Sequence, residues 1–89
     1  MEEADRIKRA IRDIAQRREN VTLDEIEWVV NHLKQYYQVG RRTARHGILF
    51  RVRDQRFMVN THNPGSKQVK PYSVDAFIDA MIELGWYED

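Results

Sequence analysis

Cysteine is absent from this chain. That removes disulfides, thiolate metal sites and a cysteine nucleophile together, and leaves the redox compartment open. Long apolar runs are missing as well, and no stretch approaches the ~20 residues that a membrane-spanning helix requires. The opening "MEEADRIKRA" is charged from its second residue and lacks the apolar centre of a signal peptide, so a cytoplasmic protein is expected. Internal repeats and low-complexity tracts are also missing. Acids are scarce in the middle of the chain, where residues 34–70 hold nine basic side chains against one acid, Asp54. Bases are missing from residues 71–89, which hold five acids, while residues 1–33 hold six bases and eight acids.

What is present fits one small globular domain of 89 residues, 42% apolar and 33% charged. The net charge of +1 conceals the basic middle. A cationic block of this kind is the electrostatic footprint of a phosphate-bearing partner. The competing reading is a solvated surface that pairs with the protein's own acidic helices.

Periodicity sets the element order. Ala4, Ile7, Ile11 and Ile14 form a narrow helical stripe in residues 1–20, with acids expected in the first turn and arginines in the last. The stripe suits an outer layer or a dimer seam. Thr22 and Glu25 have capping-box spacing, and Leu23, Ile26, Val30 and Leu33 continue a second helix that fades near Lys34 or Gln35. Tyr36 to Arg42 reads as a short strand, although a helix ending at a Gly40 cap fits too. "HGILFRVR" alternates, with Ile48, Phe50 and Val52 on one face and Leu49, Arg51 and Arg53 on the other. An Asp54-Gln55 turn returns the chain into "RFMVNTH", where Phe57, Val59 and Thr61 oppose Met58, Asn60 and His62. "NPGSKQVKP" is a loop by composition. Ser73 is expected to cap a last helix built on Val74, Phe77, Ile78, Met81, Ile82 and Leu84 and closed by Gly85. Trp86 and Tyr87 are expected to fold back onto the core.

The resulting fold class is α+β: a three-stranded antiparallel sheet with helices packed on one face, in the order α-α-β-β-β-α. Residues 1–20 read as an N-terminal helix extension and residues 21–89 as the domain proper.

From about Leu23 to Trp86 the chain resembles the small HicA toxins, whose fold is that of the double-stranded RNA-binding domain. The resemblance rests on "VNTH" at residues 59–62, "KQVKPYSVDAFIDAMIELG" at residues 67–85 and "ARHGILF" at residues 44–50. Ala44-Arg45-His46 stands where that family has Gly-Ser-His, and Asn60 where it has proline. The resemblance implies metal-independent RNA cleavage with His46 as the catalytic residue, and an antitoxin chain as a partner. The chemistry is consistent with the residue types. A histidine titrates near neutrality and can take a proton from a ribose 2′-hydroxyl, His62 can protonate the leaving oxygen, and guanidiniums such as Arg42, Arg45 or Arg51 can steady charge on phosphorus. Against this stand a strand-starting role for His46, a turn role for His62, and an ordinary helix-edge role for His32.

Other chemistries lack support. No histidine pair has ligand spacing, so neither metal nor cofactor is expected. "NPGSK" is not a phosphate-binding P-loop, and neither Ser66 nor Ser73 sits in a nucleophile elbow. Lys67 and Lys70 precede the last helix, a place where double-stranded RNA-binding domains lay lysines across phosphates. Three functions therefore stay open. One is a nucleic-acid-binding module using Arg41, Arg42, Arg45, Arg51, Arg53, Lys67 and Lys70. Another is a ribonuclease using His46 and His62. The last is an interaction domain whose first helix binds a partner or a second copy.

Overall fold

The computed structural model describes residues 2–45, 47–63 and 65–88; His46, the expected catalytic base, lies outside the described residues. The elements follow the expected order: α1 (Glu3–Gln16), α2 (Leu23–Leu33), β1 (Val39–Ala44), β2 (Gly47–Val52), β3 (Gln55–Asn60) and α3 (Pro71–Glu83). The strands form one antiparallel sheet in the order β1-β2-β3. Against it α2 packs on β1 and β2, α3 packs on β3, and α1 lies on α2 and α3. The helices therefore cover one sheet face in two layers and leave the opposite face open. No helix among the described residues is long and apolar enough to cross a membrane.

The isoleucine stripe of α1 is consumed within the chain. Ile7, Ile11 and Ile14 are at most 2% exposed and share one apolar cluster with Val21, Ile26, Phe50 and Phe77. The arginines expected in the last turn of α1 lie just past it, since the helix ends at Gln16 and Arg17 is its C-cap. There they tie α1 to its neighbours. Arg17 donates to Asp13 at 2.7 Å and also bonds Glu25 of α2, while Arg18 donates from Nε and Nη2 to the two carboxylate oxygens of Asp75 of α3 at 2.6 and 2.7 Å. The capping box at Thr22 and Glu25 is formed as expected.

The first strand begins later than the sequence implies. The Tyr36 and Tyr37 amides both donate to the Leu33 carbonyl, at 2.9 and 3.0 Å, and so complete a turn that follows α2. Tyr37 accepts a hydrogen bond from Trp86 Nε1 at 2.8 Å, and Tyr36 packs at a tilt on the same indole. These aromatics close the C-terminal end of the fold instead of lining the sheet. The β2–β3 hairpin is confirmed, but its turn is Arg53-Asp54, because Val52 pairs with Gln55. Arg53 takes φ 57° there, a left-handed conformation that a non-glycine residue adopts at some cost.

The start of α3 also differs from the expectation. Lys70 is the N-cap and Pro71 opens the helix, the position where a missing N–H costs nothing. Ser73 lies inside the first turn, fully buried, and its hydroxyl accepts the Asn60 amide at 2.9 Å. At the other end Gly85 takes φ 84°, and the Trp86 and Gly85 amides reach the Met81 and Ile82 carbonyls at 2.8 and 3.0 Å. This double bond pattern at a left-handed glycine ends the helix and folds Trp86 back. The core between sheet and helices is aromatic at its centre, with Phe57 stacked on Phe50 and edge-on to Phe77, each pair 5.6 Å apart.

Candidate nucleic-acid interface

Strand register decides which cations share a surface. Residues paired across strands point the same way. Gly40, Arg51 and Arg56 therefore form one row across the open face, and Arg42, Leu49 and Met58 form the next. Arg42, Arg51, Arg56 and Met58 are exposed. The outward strand positions carry three arginines and no acid. Arg51 and Arg56 stand directly opposite one another, a like-charge pairing that destabilises a sheet. A Cβ on Gly40 would lie 3.6 Å from Arg51 Nε, so the Arg51 side chain leans over this bare glycine.

The remaining expected contacts divide. Arg41 is on the helix-facing side of edge strand β1, where its guanidinium is 3.6 Å from Glu27 of α2. Lys67 bonds Asp24 at 3.1 Å, which anchors the 61–70 loop to α2. These two cations are neutralised within the chain, as the competing reading of the charge block anticipates. Arg53 occupies the hairpin turn, with its guanidinium over the Tyr37 ring and Nε donating to Asp54 at 3.2 Å. That bond holds the Asp54 carboxyl below its ordinary range. Arg56 is the cation the sequence reading did not select. Its signal was the alternation of "RFMVN", which puts it beside Met58 and away from Phe57 and Val59.

Arg45 and Lys70 belong to a second feature, a cleft of about 430 Å³ at the end of the sheet. Its walls come from Arg45 after β1 and Gly47 at the start of β2, from the end of β3 with residues 61–63, and from the start of α3. Arg45, Gly47, Asn60, His62, Lys70 and Tyr72 line it. Asn60 organises this end of the fold. Its amide donates to Ser73 Oγ, its carbonyl accepts the Lys70 amide at 2.9 Å, and its Nδ2 donates to the Tyr72 hydroxyl at 2.8 Å. Asn60 Oδ1 is buried with no hydrogen-bond partner among the described residues. Gly47 is needed opposite it, because a Cβ there would fall 2.2 Å from the Val59 carbonyl oxygen. His62 is exposed, and its amide donates to the Gln68 carbonyl at 3.1 Å. His32 is elsewhere, on α2, with Nδ1 2.7 Å from the Trp28 carbonyl and its ring stacked on that indole.

The arrangement offers donors and positive charge along one continuous surface, from the sheet face to the cleft. Aromatic rings are missing from the outward strand positions, so the sheet itself has no platform for stacked bases. Compared with known proteins, the chain matches no family model, no curated protein and no solved structure.

Proposed function

We propose that this protein is a nucleic-acid-binding module that grips phosphates through its open sheet face, with RNA as the expected partner. The observation that carries the reading is the pairing of Arg51 with Arg56, beside Arg42, on a face with no acid to relieve them. Repulsion between facing cations is a cost to the fold that a bound polyanion removes. The acids that neutralise Arg41 and Lys67 come from α2, on the covered side of the sheet. Phosphate contacts without base stacking give shape-dependent, sequence-tolerant recognition.

The test is a gel shift with structured RNA and with duplex DNA across a salt series. The triple variant Arg42→Gln, Arg51→Gln, Arg56→Gln is run in parallel. Binding by wild type should weaken steeply with salt, and the variant should lose affinity with a slope reduced by roughly two to three. Absence of binding, or an unchanged slope in the variant, would overturn the reading.

A HicA-like ribonuclease is the second reading. The observation that favours it is that Arg45 and Gly47, the neighbours of His46, line the same cleft as His62. Scoring the same RNA for cleavage in EDTA, with His46→Ala and His62→Ala alongside, separates a nuclease from a pure binding module. The isoleucine stripe offers less to the interaction-domain reading, since α2 and α3 already cover it.

A further inference from the structure

We propose that the cleft between the end of β3 and the start of α3 takes a phosphate monoester, the terminal phosphate of a nucleic-acid strand. The proposal rests on the phosphate-binding reading of the adjoining sheet and assigns this end of the surface a distinct ligand.

The cleft differs from the sheet face in charge density. Arg42, Arg51 and Arg56 are spread along rows, an arrangement that suits singly charged diesters met in succession. In the cleft Arg45 and Lys70 line one small space, and no acid is among its described lining residues. The first turn of α3 adds to this field. It contains no acid, so the positive end of its dipole faces no carboxylate within that turn, while its amides are mostly spoken for: Pro71 has none, and those of Ser73 and Val74 donate to the Lys70 carbonyl at 2.9 and 3.2 Å. Two full charges plus a helix terminus exceed the single charge of a diester. They match the roughly −1.5 to −2 carried by a phosphate monoester at neutral pH.

Tyr72 supplies a neutral donor. Its hydroxyl accepts a hydrogen bond from Asn60 Nδ2, which leaves the phenolic proton for a ligand oxygen. The ring is 55% exposed, and the Lys70 ammonium sits 5.7 Å from its centre. The Tyr72 hydroxyl is held in place before any ligand arrives, because Asn60 bonds it directly and ties β3 to the first turn of α3 through the Ser73 hydroxyl and the Lys70 amide. The volume, about 430 Å³, admits a unit of nucleotide size but not a duplex, which places the end of a strand there.

The experiment compares one hairpin RNA carrying a 5′-phosphate, a 3′-phosphate or hydroxyls at both ends, by gel shift at fixed salt. One phosphorylated form should bind about tenfold more tightly than the hydroxyl-ended form, the size of one charge-assisted hydrogen bond. That ratio should collapse towards one in Lys70→Gln and in Tyr72→Phe. Arg42→Gln should weaken all the RNAs while keeping the ratio. Equal binding of all three RNAs by wild type, or a ratio retained in both cleft variants, overturns the proposal and leaves the sheet-face reading standing. Failure of every RNA to bind overturns that reading instead. A nucleoside 5′-monophosphate that competes as well as the phosphorylated RNA would reassign the cleft to a small ligand and overturn the strand-end assignment.

Discussion

Arg51 and Arg56 face each other across β2 and β3 with no acid on their side of the sheet. Stability alone does not explain such a pair, since opposite charges at facing positions help a sheet and like charges harm it. Replacing Arg56 by glutamate therefore has opposite expected effects on folding and on binding. The variant should be more stable by about 0.5–1 kcal/mol, seen as a rise of about 2–8 °C in Tm without nucleic acid. Its RNA affinity should fall, because a carboxylate then faces the phosphates. A variant that melts lower, or binds RNA undiminished, would show that Arg56 belongs to the scaffold. The same logic clarifies which cations the charge pattern could not sort. Arg41 and Arg42 are adjacent in sequence, yet one-residue alternation sends Arg41 to Glu27 and Arg42 to the open face. Charge counting groups them, and only register separates them.

Among the elements, α1 takes the outer-layer place that its narrow stripe suits, lying on α2 and α3. Its contribution to the core is larger than an extension would make, because Ile7, Ile11 and Ile14 are buried in the same cluster as the sheet residues. Ile11→Ala should cost about 2–5 kcal/mol, within the range of buried isoleucine truncations, and chemical denaturation reads it directly. A loss below ~1 kcal/mol would make α1 the dispensable extension that its pattern suggests. The elements that were legible carry local chemistry. The Thr22 and Glu25 cap, the alternation of β2 and β3, and the Gly85 terminator are each specified within a few residues. The elements that were misplaced depend on partners far away in sequence. Tyr36 and Tyr37 look like strand formers, but Trp86, 49 residues beyond Tyr37, draws them into a turn. Ser73 looks like a cap, but Pro71 starts the helix and the buried hydroxyl serves Asn60 instead. The cleft was only half visible for the same reason. Arg45, His62 and Lys70 stood out by residue type, whereas Asn60, Gly47 and Tyr72 acquire meaning only once β3 meets α3.

Across the whole molecule, charge is divided by layer. The open sheet face carries Arg42, Arg51 and Arg56 with no acid at its outward strand positions, while the carboxylates that matter to the fold tie the helices together. Glu25 of α2 and Asp75 of α3 bind Arg17 and Arg18 at the end of α1. Both carboxyls are held below their ordinary values, chiefly by the hydrogen bond from the arginine that each one accepts. The unfolded chain therefore binds protons more readily at these sites than the folded one, and stability rises with pH through that window. The contribution is complete above the ordinary carboxyl values of 4.5 and 3.8, and it is lost as pH falls through the lowered folded values. Glu25 should dominate, because its side chain is 32% exposed and also closes the α2 capping box, whereas Asp75 is 50% exposed and more fully screened. The expected result is a thermal midpoint that drops between about pH 5 and pH 3 in wild type and drops less in Glu25→Gln. Asp75→Asn should change the profile less than Glu25→Gln does. Parallel profiles for wild type and Glu25→Gln would mean that α1 is held by its isoleucines alone and that the arginine pairs are incidental.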